Sequence, residues 1–379
     1  MKHSRFFTKI RALFQSPGEP DPWLTWVLVG LVSSGFLIFL SASIGLLART
    51  GASFGSVAIS RLFATVIGVG LAYVASRYHY KNLRVHALSL LLSSLLLTAL
   101  VFLPVIGLSH GGAQRWIILF GVSFQPSELL KIAFVIYGAA LFASVKERIE
   151  TVQYGVFPLL ALLGIAGAIL LMQPDTDTFV VLFLSLMAMF ITAGARIKHI
   201  VALGLIATLG LGLLIWYKPY LKARVATFVS PQSVDSQGPG WQVKQSLIAI
   251  GSGQTFGRGF GQSVQKFYYL PEPIGDSIFA VAAEEFGFVG GVLLIALFLA
   301  LLLRGLRIAS RAPDSFGGLL SVGIVILIGA SAFMNIASML ALIPLSGLPL
   351  AFVSHGGTAL VFTLIEVGIL LNISRYQKS

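Results

Sequence analysis

Residues 24–47 run for two dozen positions without one charged side chain, and comparable stretches recur to the C-terminus. A helix needs about 20 predominantly apolar residues to cross a bilayer. Ten stretches are candidates, at 24–47, 57–76, 86–107, 128–145, 155–172, 178–194, 199–217, 277–303, 317–343 and 350–373. What remains cannot coat a water-facing surface: 11% of the 379 residues are charged and 56% hydrophobic, with mean hydropathy +0.91. A soluble domain carries about 25% charged residues. The 40 glycines fit as well, because transmembrane helices tolerate glycine more than soluble ones do. The expected fold is an all-α polytopic membrane protein.

An even number of spans puts both termini on one side, and charge selects the side. With a cytoplasmic N-terminus, the inside segments hold Lys2, Arg5, Lys9, Arg11, Arg77, Lys81, Arg84, Lys146, Arg148, Arg196, Lys198, Arg304, Arg307, Arg311, Arg375 and Lys378, sixteen of the 26 basic residues. The short outside loops and adjoining helix ends hold Arg49, Arg61 and Arg115. This is the positive-inside bias, and it accounts for the net charge of +12 without nucleic acid. Nucleic-acid binders concentrate their basic residues on one face or arm. Cysteine is absent, which excludes disulfides and thiolate metal sites. Residues 1–22 are polar and basic, and the apolar run after them is too long for a signal-peptide core, so the first helix is expected to be an uncleaved anchor. The expected layout is a cytoplasmic tail at 1–22, helices one to seven within 23–217, a large extracytoplasmic loop at 218–276, helices eight to ten within 277–373 and a short cytoplasmic tail at 374–379.

A loop as long as 218–276 is usually functional or disordered. Trp241, Phe256, Phe260, Phe267, Tyr268 and Tyr269 argue against disorder. Within it, Trp241–Ile250 sets Val243, Leu247 and Ile250 near one helical face, with Lys244 and Gln245 off it, the pattern of an interfacial amphipathic helix. Gly251-Ser-Gly253 and Gly257-Arg-Gly-Phe-Gly261 follow. With no preceding strand and no βαβ unit, these glycines are not a dinucleotide fingerprint.

Gln245-Ser-Leu-Ile-Ala-Ile-Gly-Ser-Gly253, Phe256-Gly-Arg-Gly259, Gln265-Lys-Phe267, Tyr269-Leu-Pro-Glu-Pro273, Asp276-Ser-Ile-Phe-Ala-Val281 and Glu284-Glu-Phe-Gly287 closely resemble the signature of the shape, elongation, division and sporulation family, which contains FtsW and RodA. Further matches are Gly112-Ala-Gln-Arg-Trp116, Gln125-Pro-Ser-Glu-Leu-Leu-Lys131, Gln173-Pro-Asp175, Gly347-Leu-Pro349, Ser354-His-Gly-Gly357 and Asn372-Ile-Ser-Arg375. The wording Lys266-Phe-Tyr-Tyr-Leu-Pro-Glu-Pro273 and Ser41-Ala-Ser43 resembles the FtsW branch more than RodA. The sequence departs from the family pattern at Asp177, where Gly is usual, at Ile274-Gly275, where His-Thr is usual, and at His355, where Tyr is usual.

The resemblance implies a peptidoglycan glycosyltransferase that polymerises lipid II, a disaccharide-pentapeptide on undecaprenyl pyrophosphate, at the outer face of the cytoplasmic (inner) membrane. It implies a class B penicillin-binding protein as crosslinking partner and other divisome or elongasome membrane proteins around it, with the division septum as the expected location.

Glycosyl transfer from a lipid pyrophosphate must remove a proton from the acceptor hydroxyl and meet the charge of the departing pyrophosphate. A positioned carboxylate does the first. Lys, Arg or a divalent cation such as Mg or Mn does the second. Asp276 is the candidate base; the plainer reading is a helix cap. Glu128 and Lys131, three residues apart near the outer end of the fourth helix, share a face, and ionisable residues within a span are functional candidates. Lys131 is assigned to the pyrophosphate and Glu128 to orienting it or the acceptor, against the alternative of a neutralising structural pair. Arg115 and Trp116 are candidates for phosphate contact and sugar stacking, or for an interfacial anchor. Gln125 and Ser127 flank this group; Ser127 does not form a Ser-x-x-Lys nucleophile with Lys131. Lys244, Arg258 and Lys266 are candidate anion contacts or solvated loop charges. Asp175 marks a cavity rim or a turn. Ser354 and His355 complete the substrate-facing set, His355 having no second ligand at metal spacing. Glu284, Glu285 and Glu366 are expected to make buried structural hydrogen bonds. A lipid II flippase and a non-catalytic scaffold are the rival readings. A flippase needs a polar path through the midplane, whereas the polar motifs here crowd one half.

Overall fold

The computed structural model describes residues 18–50, 54–103, 107–110, 113–119, 122–229 and 239–377. Lys2, Arg5, Lys9, Arg11, Gly112 and Lys378 lie outside the described residues, as does the side chain of Arg49.

The first helix, α1 (Pro22–Thr50), starts where the sequence dictates. Proline at the first helical position has no N–H to satisfy, and Asp21 Oδ1 accepts from Leu24 N at 2.9 Å. α2 (Phe54–Arg77), the short α3 (Tyr80–Val85) and α4 (Ala87–Ala99) follow. After them come a three-stranded sheet and then α5 (Pro126–Val145), α6 (Phe157–Met172), α7 (Thr176–Thr192) and α8 (Ile197–Tyr217). The segment expected as one long loop holds α9 (Pro219–Val229), α10 (Pro239–Ser252) and α11 (Gln265–Tyr268). The chain ends with α12 (Ile278–Ser310), α13 (Ser315–Met339) and α14 (Gly357–Ser374). Among the described residues eight helices are long and apolar enough to span a membrane, and two shorter apolar helices, Ala87–Phe102 and Thr176–Thr192, make up the expected ten.

α13 is the hub. It packs against α5, α7 and α12, while α2 lies along α14 and α1 along α12. Apolar packing drives little association between helices already in lipid, so close approach and interhelical hydrogen bonds hold the bundle. Ser185 Oγ donates to Gly323 O at 2.7 Å. Asn372 Nδ2 donates to Ser76 O at 2.9 Å while its Oδ1 accepts from Tyr80 N at 2.9 Å. α8 is the outlier, with Leu203 alone buried.

Four sequence expectations need correction. The third span was expected to reach residue 107, yet the helix stops at Ala99 and one 3-10 turn. The strands β1 (Gly107–His110), β2 (Ala113–Leu119) and β3 (Val122–Phe124) then form an antiparallel sheet in that order, with Leu108 opposite Trp116 and Ile117 opposite Phe124. The eighth span continues past 303 to Ser310, because arginines suit the carboxyl end of a helix. The ninth helix ends at Met339 and the tenth begins at Gly357. Pro344, Pro349 and Gly347 keep residues 340–356 irregular. In α10 the packed face is Gln245, Ser246 and Ala249, and Leu247 and Ile248 are exposed. The sequence pattern places Gln245 off that face, whereas here it is buried.

The sheet, the α6–α7 turn, α9 to α11 and residues 340–356 gather at one end of the bundle. Asp21, Arg304, Tyr80 and the end of α14 lie at the other.

Candidate active site

Asp276 lies between α11 and α12 in a backbone that is tied on every side. Asn335 Nδ2 donates to Asp276 O and to Leu348 O, each at 2.8 Å. Ser354 Oγ donates to Gly275 O at 2.7 Å, and His355 N donates to Ile274 O at 2.6 Å. The helix cap proper is Ser277, and the Asp276 carboxylate makes no capping hydrogen bond. The plainer reading of this residue therefore fails, and its carboxylate is left for something else. Burial, then the nearby carboxylates of Glu272 and Asp177, push Asp276 up to about 7 against the pull of Arg224 and Arg115.

Three charged side chains converge on Gly347. A Cβ there would sit 3.4 Å from Arg224 Nη2, 3.6 Å from Asp177 Oδ2 and 3.8 Å from Asp276 Oδ2. Asp177 and Arg224 are paired at 2.8 Å. On the other side of the same segment, Leu348–Phe352 and Ser354 line a small cavity with Glu128, Lys131, Ser331, Thr363 and Glu366. Lys131 Nζ is 3.0 Å from Glu128 Oε2, and both are nearly buried. The cavity thus presents one lysine between two carboxylates, beside the Asp276 cluster.

The remaining candidates divide. Arg115 donates through Nε to Gln173 O at 3.2 Å and through Nη2 to Pro174 O, and its Nη1 lies 3.6 Å from Asp175 Oδ1. It braces the α6–α7 turn from β2. Asp175 is buried, and that burial raises its carboxyl above the usual range despite Arg115. Trp116 is half-buried in β2. Gln125 precedes α5 and donates to Ser127 Oγ at 3.1 Å. Ser354 lines the cavity, but its hydroxyl accepts from Leu350 N at 2.8 Å as well as donating to Gly275. It positions backbone. His355 is exposed and stacks on Phe39 with centroids 5.8 Å apart. Lys244 is exposed on α10, away from this group. Arg258 is partly exposed, 3.5 Å from Glu284 Oε1.

Lys266 is a correction. It is wholly buried, and its Nζ donates to Glu285 Oε1 at 2.6 Å, Gly261 O at 2.9 Å and Ser41 Oγ at 3.0 Å. All three ammonium donors are committed to protein acceptors, so it is neither a solvated charge nor an anion contact. Glu284 takes Ser263 Oγ at 2.6 Å and Val264 N at 3.0 Å. The two glutamates make the buried hydrogen bonds expected of them, and through these they anchor the glycine-rich loop. The loop reaches them because α12 breaks at Gly287, whose φ of 67° favours glycine.

Three contributors were missed. Asp177 stands in the sequence only as a departure from the family pattern, and Arg224 carries no assignment there. Arg61, taken for an outside loop or helix-end charge, is buried; it donates to Phe352 O, to Ser354 O at 2.8 Å and to Val353 O at 3.3 Å, and lies 4.8 Å over the Phe39 ring. The spacing of Tyr220, Arg224 and Thr227 on one face of a short helix was the available signal for Arg224.

The chain as a whole is similar to several known proteins. Stage V sporulation protein E of Bacillus subtilis is 38% identical over 361 residues, covering 95% of this chain and 98% of the relative. A probable peptidoglycan glycosyltransferase FtsW of Geobacter sulfurreducens is 40% identical over 313 residues, 83% of this chain and 84% of the relative. A chain from a peptidoglycan synthase complex that coordinates polymerisation and crosslinking superposes with a TM-score of 0.79 at 25% identity, covering 95% of this chain and 99% of its own. The rod shape determining protein RodA of Thermus thermophilus gives 0.69 at 25% identity, covering 95% of this chain and 98% of its own. The family profile for FtsW, RodA and SpoVE, described as cell cycle protein, matches residues 22–379, and the chain belongs to that family.

Proposed function

We infer that this protein is a peptidoglycan glycosyltransferase that polymerises lipid II, with Asp276 as general base. The observation that carries the mechanism is a carboxylate poised near 7, freed from capping, beside a cavity that holds a buried lysine. The acceptor hydroxyl gives its proton to Asp276 as its oxygen bonds to the anomeric carbon of the donor sugar. The bond from that carbon to the pyrophosphate oxygen breaks, and Lys131 meets the charge that leaves. Glu128 holds the lysine in place until the pyrophosphate displaces it. A base tuned close to the working pH is the efficient kind.

Mg or Mn is an alternative counter-charge. Among the described residues no three His, Asp or Glu are grouped to hold an ion, and the Asp177 carboxylate is already paired with Arg224, so no step is routed through a metal.

The site end is assigned to the outer face of the cytoplasmic membrane. The clustering of basic residues at the opposite end supports this, and with it a cytoplasmic side for both termini. A class B penicillin-binding protein is the expected partner and the division septum the expected location. The synthase complex, which coordinates polymerisation with crosslinking, supports the partner, and the cell cycle family supports the location.

A flippase would need a polar route through the bundle. Midway along α13, Val135 and Met189 close against Gly323, which favours the enzyme. The test is polymerisation of labelled lipid II by the purified protein with its crosslinking partner, with Asp276→Ala alongside. Long glycan from the variant would end the base assignment, and transbilayer movement without polymer would favour the flippase.

A further inference from the structure

Asp177, in the first turn of α7, accepts through one oxygen from Arg224 Nη1 at 2.8 Å and from Gly347 N at 2.9 Å. That atom joins α7, α9 and the 340–356 connection. A second tie, between the hydroxyls of Thr176 and Tyr220, seats α9 on the same turn, and Arg224 lies 5.9 Å from the Tyr220 ring centroid. Arg224 Nη2 and Asp276 Oδ2 nevertheless approach the same point above Gly347, at 3.4 and 3.8 Å. The guanidinium stands a short swing from two carboxylates and gives its hydrogen bond to one.

We propose that Asp177 is a positioning residue that holds Arg224 off Asp276, leaving the Asp276 carboxylate free to take the acceptor's proton. The inference rests on the glycosyl-transfer reading above. A guanidinium paired with Asp276 would stabilise its ionised form and weaken it as a base. The charged groups facing Asp276 are Glu272 from its own connection, Asp177 from α7, Arg224 from α9 and Arg115 from β2. Loss of the Asp177 charge removes a repelling neighbour and releases an attracting one. Both changes lower the affinity of Asp276 for a proton. Loss of Arg224 acts the other way.

The experiment compares pH profiles of lipid II polymerisation for the full-length protein and for Asp177→Asn, Asp177→Ala and Arg224→Gln. Both Asp177 variants should move the acid limb of kcat down by about one pH unit and lower the alkaline plateau, with KM little changed, since a nearby charge shifts a carboxyl by about 1–3 units. Arg224→Gln should move the limb up. Asp177→Asn keeps an acceptor oxygen for Gly347 N but gives up the charge that holds Arg224, so it carries the test if Asp177→Ala does not fold. An unmoved limb with a uniformly lower rate, in an Asp177→Asn protein that melts like wild type, would mean a bracing role and overturn the proposal. An upward shift would overturn it too. Full polymerisation by Asp276→Ala is a separate result, which removes the base reading itself.

Discussion

Lys266 Nζ lies 2.6 Å from Glu285 Oε1, with both side chains sealed inside the bundle and Ser41 Oγ within reach of each. The pair fastens the glycine-rich loop to α1 and to the kinked start of α12. Taking charges out of water is costly, so removing one partner strands the other. Lys266→Ala should destabilise the protein by about 3–5 kcal/mol. The double change Lys266→Met, Glu285→Leu should recover much of that loss. Thermal unfolding in detergent reads both. A Lys266→Ala protein that melts with the wild type would show that the pair contributes nothing to stability.

Asp276 should set the acid side of the activity profile. A base works when ionised, and this carboxyl is pushed up to about 7, so polymerisation should fall as pH drops through that value and level off above it. Asp276→Asn should lower the rate by about 10²–10⁴ without moving the melting temperature. Initial rates between pH 5 and 9 check the first point. A flat profile would contradict it.

Gly347 marks the gap between three charged groups. A Cβ would meet them at 3.4–3.8 Å, ordinary contact distances, so Gly347→Ala should fold and retain most activity. Gly347→Leu should fill the space and abolish polymerisation while the protein still folds. Glycan length on gels, beside a melting curve, separates the two outcomes.

At the far end, Asp21 takes Arg304 Nε and Nη2 at 2.9 and 2.6 Å. Burial alone would raise its carboxyl, but Arg304 and the N–H of Leu24 hold it below the ordinary carboxylate range. Its contribution to stability is therefore complete at neutral pH and lost as acid takes the pH down through the folded-state value. Asp21→Asn should cost about 1.5 kcal/mol at pH 7 and flatten the acid dependence of the melting temperature. Equal acid sensitivity in both proteins would count against it.

The ten spans were legible because apolar length is a local property that lipid enforces. The sheet was not: its strands are short and broken by glycines, and they are held by pairing that no single stretch records. Glu128, Lys131 and Asp276 stood out as ionisable groups in or beside apolar runs. Arg61 did not, because its carbonyl partners lie about 290 positions away in the chain. Lys266 misled for a similar reason. A lysine among glycines reads as wet, and the serine that helps enclose it is 225 positions distant. Asp177 and Arg224 become a pair only when α9 folds back on α7.

Asn335 has one amide nitrogen and spends it twice, on the carbonyl of Asp276 and on that of Leu348. The backbone of Asp276 and the strip of chain that lines the lysine cavity thereby hang from the same side chain, so any shift of one strip is felt by the other through a single amide.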